Sequence, residues 1–163
     1  MRGGWAAWRG CAGREAGGAT FAGAGGVYDP DRLEVGNCFW PGGDAEGRSQ
    51  FSVWGAMKAP LLIGTDVTNM TAATLATLTN PEAIAVNQDA LAIAGSRLRM
   101  ERGVSVWSKL LSDGSRGVLL LNARNEAALA GIHWHELIVL QSTPALVRSP
   151  RAPESPGAHA PQT

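Results

Sequence analysis

The chain has 163 residues, of which 45% are apolar and 17% charged, and its 14 basic side chains are balanced by 14 acidic ones. Without net charge it lacks the long-range field that favours binding to nucleic-acid phosphates or anionic membranes, so we expect neither partner. No stretch approaches the ~18 apolar residues of a transmembrane helix, and residues 1–18 lack the apolar centre of a signal peptide.

The two ends of the chain differ in composition from its middle. Residues 1–25 mix Gly, Ala, Arg and Trp without helical or strand periodicity, which predicts an irregular lead-in. Residues 142–163 carry five prolines, which block helices and central strands, so we expect a disordered tail. The two cysteines, Cys11 and Cys38, allow at most one intramolecular disulfide bond.

Between these ends, the first foldable segment is residues 27–37, an Asp-Pro-Asp turn that leads into Leu-Glu-Val-Gly-Asn. Proline keeps Asp29 out of the helical region, so this segment is predicted to be a strand end or loop. Asp44 can then cap a helix that runs to about Lys58, because the apolar residues between them form one stripe. Pro60 ends that helix.

The next segments alternate between strand and helix. Leu61–Ile63, bounded by Pro and Gly, suits a short strand buried on both faces. Thr71 is an acceptable N-cap for a helix to about Thr79, and Asn80-Pro81 starts a second helix with proline at its first position. Alternation of this kind is expected of parallel α/β folds.

From Arg97 onward the apolar period changes to two. Residues 104–110 and 118–121 are predicted to form an antiparallel hairpin, because Ser112-Asp113-Gly114-Ser115 supplies a turn between them. Residues 132–140 are predicted to form a further strand. The sequence therefore predicts an α/β part over residues 26–95 and a β part over residues 96–141.

Carboxylates are the first candidates for a functional site. Asp29 and Asp31 follow the first predicted strand, where α/β proteins commonly contact sugar hydroxyls or reacting atoms. The alternative, favoured by spacing alone, is an Asx turn in which both carboxylates accept backbone N–H groups. Asp66 follows the second strand in the same way, and for it we favour a capping role in the next segment.

Other candidates have weaker support. His133 and His135 have metal-ligand spacing, but no cysteine or carboxylate cluster completes a three-ligand site, so no metal is expected. Three tryptophans offer surfaces on which sugars could stack, although core packing is the commoner role of such residues; these are Trp40, Trp54 and Trp107. Asn69-Met70-Thr71 is an N-glycosylation sequon, and no nucleotide-binding motif is present, so no cofactor is expected.

Three motifs in a fixed order resemble a known family. The runs GGVYDPDRLEVGN, RSQFSVWGAMKAPLLIGTDVTNMT and NPEAIAVNQDALAIAG are similar to the plant-type α-galactosidases, or melibiases, which are retaining glycoside hydrolases. The resemblance covers residues 25–95 strongly and 97–137 weakly. It implies an α/β fold, namely the last two βα units of a (β/α)₈ TIM barrel followed by the start of an antiparallel β-sandwich.

The same resemblance implies a function and a site. The family hydrolyses terminal α-linked galactose from oligosaccharides and glycoconjugates, and Asp31 corresponds to a residue that binds galactose hydroxyls. Arg32 takes the place of a methionine that lines the same pocket. The family's nucleophile and acid/base residues lie upstream of the matched motifs, so this chain is expected to hold no catalytic residue.

Further expectations follow from that partial coverage. Activity of this chain by itself is doubtful, and a non-catalytic remnant or a small carbohydrate-binding or partner-binding module is the alternative. Barrel edges left uncovered would favour self-association. Relatives are secreted, vacuolar or lysosomal, which is the only indication of location.

Overall fold

The computed structural model describes residues 25–37, 43–137 and 147. The elements in chain order are α1 (Gly43–Met57), α2 (Ala72–Leu78), α3 (Pro81–Asn87), β1 (Ser96–Glu101), β2 (Val104–Leu110), β3 (Arg116–Asn122) and a 3₁₀ helix (Trp134–Leu137). Within these residues no helix has the length and apolar character needed to cross a membrane. The lead-in, the proline-rich tail apart from Val147, both cysteines and Trp40 lie outside the described residues.

Two short extended segments pair in parallel ahead of and behind α1. Leu33 forms a parallel bridge with Ile63. The Leu33 amide donates to the Leu62 carbonyl at 2.7 Å, and the Gly64 amide donates to the Leu33 carbonyl at 2.8 Å. This pair, with α1 as the connection between its members, is the parallel α/β arrangement that the alternating pattern predicted.

The second half of helix α1 is buried almost all round, because it packs against the paired segments, the two short helices and the sheet. Phe51, Val53, Trp54 and Met57 are buried there and join Leu33 and Val35 in one core. The helix ends at Met57, one residue before the predicted end, because Lys58 adopts a left-handed φ of 56° and Pro60 follows.

The two short helices begin where their capping residues predict. The Thr71 side chain accepts from the Thr74 amide at 3.1 Å and starts α2. The Asn80 side chain accepts from the Ala83 amide at 3.0 Å, with Pro81 at the first helical position of α3. Each cap satisfies a backbone donor that a helix N-terminus otherwise leaves without an acceptor.

Strands β1, β2 and β3 form an antiparallel sheet in that order. The hairpin of β2 and β3 has the predicted turn, in which the Asp113 side chain accepts from the Ser115 amide at 2.8 Å and Gly114 has a φ of 83°. Strand β1 adds a third strand beyond the predicted hairpin and carries an irregularity between Arg97 and Arg99. Residues 105–109 of the central strand β2 are all buried, and α1 contacts both β2 and β3.

Polar groups join the helices to the sheet along a seam between α1, α3 and β2. The buried Asn87 amide donates to the carbonyls of Trp54 and Ala59, at 3.1 and 2.9 Å. Lys109 of β2 is only 2% exposed, and its amine donates to the Val86 carbonyl at 2.5 Å. These donors bond to carbonyls at or just beyond the C-terminal ends of α1 and α3, where helix geometry leaves few amide partners. The Trp54 carbonyl also accepts from the Ala59 amide at 3.0 Å.

Two sequence predictions fail in the structure. Leu62 is 58% and Ile63 47% exposed, so the second strand is not buried on both faces, because its described pairing is limited to Leu33. Residues 134–137 form a 3₁₀ helix instead of part of a strand over 132–140. The Glu136 side chain accepts from the His133 amide at 2.7 Å, which favours a tight turn over an extended backbone. Residues 138–140 lie outside the described part.

Candidate functional site

The Asp29–Asp31 turn lies between Gly26 and Leu33, each of which forms a β-bridge. The turn therefore lies within an extended stretch of the chain and not at its end. The Asp31 amide donates to Asp29 Oδ1 at 3.0 Å, which is the Asx-turn geometry. Asp31 Oδ1 in turn accepts from the Arg32 amide at 2.7 Å. Both carboxylates are exposed, and each has one oxygen engaged by the turn itself.

A core tryptophan fixes the backbone of this turn. Trp54 of α1 is only 1% exposed, and its indole Nε1 donates to the Asp31 carbonyl at 2.9 Å. Asp31 has a φ of 102°, which is uncommon for a residue other than glycine and requires support from its surroundings. The hydrogen bond from Trp54 supplies that support, so the core of the α/β part determines where the Asp31 carboxylate lies.

Arg32 extends from the turn towards the second extended segment. A Cβ added at Gly64 would lie 2.5 Å from Arg32 Cδ, so the arginine stem occupies the space that a side chain at position 64 would fill. Arg32 Nε donates to Glu34 Oε1 at 3.2 Å, and Glu34 Oε2 accepts from the Asn37 side chain at 2.5 Å. The guanidinium therefore lies near the end of the Leu61–Gly64 segment, beside Asp31 in the chain.

Asp66 follows the same segment but is engaged in its own turn. Its Oδ1 accepts from the amide of Thr68 at 2.8 Å and from the hydroxyl of Thr68 at 2.6 Å. These two bonds, the hydroxyl bond first, lower the pKa of the exposed Asp66 carboxyl below its usual value. Asp66 thus holds a loop, whereas the cap of the following helix is Thr71.

Apart from Trp54, which reaches the turn through its indole, the remaining candidates lie away from this site. Trp54 and Trp107 are both buried in the core, so the packing role is confirmed for them. The rings of His133 and His135 stack with centroids 5.4 Å apart on the 3₁₀ segment, and no group of three potential metal ligands occurs in the described ranges. Asn69 lies exposed in the turn before α2. A cavity of about 230 Å³ lies at the helix–sheet seam and is lined by none of the candidate carboxylates.

Sequence reasoning missed the hydrogen bond from Trp54 and the packing of Arg32 on Gly64. Trp54 lies 23 residues from Asp31, and its place on an apolar stripe indicated only that it was buried. The glycine at position 64 was a usable signal, because a glycine inside an apolar strand pattern often marks a close approach of another group.

Comparison with known families and proteins gives a consistent result. A family model described as alpha galactosidase A matches residues 13–89. The alpha-galactosidase of Oryza sativa subsp. japonica is 46% identical over 121 residues, which are 73% of this chain and 28% of the rice protein. Alpha-galactosidase 3 of Arabidopsis thaliana is 47% identical over 130 residues, 77% of this chain and 29% of that protein. The chain thus spans less than a third of the length of these relatives.

Solved structures resemble the described fold. Alpha-galactosidase I from Mortierella vinacea matches with a TM-score of 0.71 and 35% identity, over 75% of this chain and 30% of that one. A β-L-arabinopyranosidase from Geobacillus stearothermophilus matches with a TM-score of 0.73 over 82% of this chain and 33% of that one. At 20% identity the second match concerns the fold alone.

Proposed function

Because this chain belongs to the melibiase family of α-galactosidases, we propose that it supplies the galactose-binding turn of a retaining glycoside hydrolase acting on terminal α-linked galactose. The observation that carries the proposal is the placement of Asp31, an exposed carboxylate on a turn fixed from the core by Trp54. The hydrolytic activity of the relatives belongs to proteins more than three times as long as the matched region.

The proposal extends to the architecture. Residues 26–95 are the closing part of a (β/α)₈ barrel, and residues 96–141 begin an antiparallel β-sandwich. The parallel bridge of Leu33 and Ile63, with α1 between them, supports the first assignment. The three-stranded antiparallel sheet β1–β3 supports the second.

Asp31 is proposed to bind sugar hydroxyls. An ionised carboxylate has only acceptors, so it recognises the donors that a sugar ring presents. One Asp31 oxygen is engaged by the Arg32 amide, and the other has no partner among the described residues. The substrates are α-galactoside oligosaccharides or glycoconjugates, and the α-galactosidase from Saccharomyces cerevisiae, 32% identical over 68% of this chain, has been solved with raffinose.

Bond cleavage is proposed to depend on residues that this chain does not carry. Retention needs two carboxyl groups ~5–5.5 Å apart, one as nucleophile and one as acid/base. We do not assign Asp29 and Asp31 as such a pair, because the resemblance assigns Asp31 to sugar binding and Asp29 accepts the Asp31 amide in the Asx turn. We propose that both catalytic aspartates lie upstream of the matched motifs, as the resemblance to the family implies.

The exposed Asn69 is proposed as a glycosylation site if the protein enters the secretory route. Its sequon threonine, Thr71, uses its hydroxyl to cap α2 in the folded chain.

Titration with methyl α-D-galactopyranoside tests the proposal calorimetrically. We expect millimolar binding by the wild-type chain and a loss of about tenfold or more in Asp31→Asn, because a bond to a charged group contributes ~1.5–3 kcal/mol. Asparagine tolerates the positive φ of this position, so the turn is retained. Glu101→Ala, which removes an exposed carboxylate on β1, is the matched control. Equal affinity of Asp31→Asn and wild type for the galactoside would contradict the proposed role of Asp31. The alternative, a non-catalytic remnant or a module of another kind, would then be favoured.

A further inference from the structure

Arg32 has a feature that binding of a neutral sugar does not require. Its side chain is 64% exposed, yet its stem is held in place where Gly64 leaves room for it. An arginine whose stem is positioned before ligand binding loses less conformational entropy when its guanidinium binds a partner.

The hydrogen bonds of Arg32 leave one side of the guanidinium open. Glu34 accepts only from Nε, and the second oxygen of Glu34 is engaged by Asn37. The terminal nitrogens Nη1 and Nη2 have no partner within the described ranges. Those two nitrogens are one of the pairs through which a guanidinium forms a fork with carboxylate or sulfate oxygens.

Asp31 and Arg32, which are adjacent in the chain, therefore bind opposite kinds of ligand group. Asp31 only accepts hydrogen bonds, so it requires hydroxyl donors from the ligand. Arg32 only donates, so it is best matched by an anionic group. The carboxylates of Asp29, Asp31 and Glu34 oppose an anion in this region, and Glu34 already forms an ion pair with Arg32 at 3.2 Å. Each of the three carboxylates is hydrogen-bonded within the chain, and a group at the fork would contact the two terminal nitrogens of the guanidinium directly.

Resting on the proposed galactose site, we infer that Arg32 makes this site selective for acidic galactosides, in which a carboxylate or sulfate group accompanies the ring hydroxyls. The hydroxyls bind Asp31, and the acidic group binds Nη1 and Nη2 of Arg32. Because Arg32 is largely exposed, solvent weakens the interaction, and the selectivity is a matter of several-fold in affinity.

The test compares a neutral galactoside with acidic ones on the full chain. The probes are methyl α-D-galactopyranoside, methyl α-D-galactopyranosiduronate and galactose 6-sulfate, titrated by calorimetry at low and high salt. We expect at least one acidic probe to bind about fivefold more tightly than the neutral one, with the preference shrinking at high salt because exposed charges are screened.

Two variants of Arg32 and one control variant test whether the preference for acidic probes depends on the charge and the fork of this arginine. Arg32→Met is expected to abolish the preference for the acidic probes over the neutral galactoside. Arg32→Lys is expected to keep part of the preference, since it retains charge without the fork. Arg48→Met removes an exposed cation from α1 and is expected to change nothing.

Each outcome decides between the two claims. If the neutral galactoside binds and no acidic probe binds more tightly, the inference is overturned and the galactose site stands. A preference for acidic probes that is unchanged in Arg32→Met has the same consequence. Failure of every probe to bind the wild-type chain overturns the galactose site and the inference with it.

Discussion

Asp31 owes its position to a hydrogen bond from a residue distant in sequence. The indole of Trp54 reaches its carbonyl from the core, and the φ of 102° at Asp31 directs the chain from the turn into the Leu33 segment. The carboxylate is thus tied to the rigid part of the fold although it is exposed. A loop residue held by a core side chain is well suited to bind a ligand without large ordering costs.

Trp54→Phe is expected to weaken galactoside binding by several-fold and to lower the free energy of unfolding by about 1–3 kcal/mol. The change removes the donor to the Asp31 carbonyl and leaves a small gap in the core. Calorimetric titration and urea unfolding measure the two effects.

Trp107→Phe is the matched control for this prediction. Trp107 is as deeply buried as Trp54, but its indole donates to the Ser105 hydroxyl at 3.1 Å, away from the turn. It is expected to lower stability by a similar amount and to leave galactoside affinity unchanged. Equal loss of binding in both variants would contradict the role assigned to Trp54.

At this scale, part of the site was predictable from sequence. Asp29-Pro30-Asp31 predicted an Asx turn because proline and aspartate have strong local preferences, and the structure confirms that geometry. The supports of the turn were not predictable, because Trp54 and Gly64 meet it only through tertiary packing. The role of Asp31 in binding a sugar stays a prediction.

At the scale of elements, the seam between helices and sheet depends on a buried lysine. Burial lowers the pKa of Lys109 from its ordinary 10.5 to about 8, the nearby charge of Lys58 adds to this, and Asp89 opposes it. The amine also donates to the Val86 carbonyl at the end of α3. A cation held there joins two elements but is costly to keep out of water.

The stability of the chain is therefore expected to rise between about pH 8 and 10.5. In this window the unfolded lysine still holds a proton that the folded lysine has lost, so the free energy of unfolding increases with pH. The slope contributed by one proton is at most about 1.4 kcal/mol per pH unit. Urea unfolding at several pH values measures it.

Lys109→Met is expected to lack this rise, because methionine has no proton to lose. Lys58→Met is expected to keep it but to move its onset upward, since removal of the Lys58 charge raises the pKa of Lys109. Identical pH dependence of the wild type and Lys109→Met over this window would show that another group titrates there.

Helices whose first residues include a capping signal were predicted correctly from the sequence. Thr71, Asn80 and Pro81 predicted the starts of α2 and α3 because capping is decided within four residues. The 3₁₀ helix at 134–137 was predicted as strand, because its turn depends on Glu136, whose carboxylate also pairs with Arg99 of β1 at 2.8 Å. An apolar run alone does not reveal such a contact.

At the scale of the whole molecule, the parallel pair exposes apolar side chains near the proposed sugar site. Leu62, Ile63 and Val67 are each close to half exposed or more, although the sequence pattern is typical of buried strand. In a complete barrel such residues meet neighbouring strands. An uncovered apolar surface on a strand edge favours association with further copies.

The chain is therefore expected to self-associate at micromolar concentration, and Leu62→Lys is expected to shift it towards monomer by placing a charge in that surface. Leu91→Lys is the control, since Leu91 is also exposed but lies in the turn after α3. Sedimentation velocity over a concentration series measures the distribution. A monomeric wild type, or equal effects of the two substitutions, would contradict this explanation.

We propose that this chain holds a sugar-binding aspartate without the pair of carboxyl groups that cleaves the glycosidic bond. The most direct test is incubation of the purified chain with p-nitrophenyl α-galactoside while release of p-nitrophenol is followed. We expect no release above the buffer rate, even at sugar concentrations that saturate binding. Turnover that is abolished by a galactose-mimicking inhibitor and by Asp31→Asn would contradict it, because a catalytic pair would then have to lie within these residues.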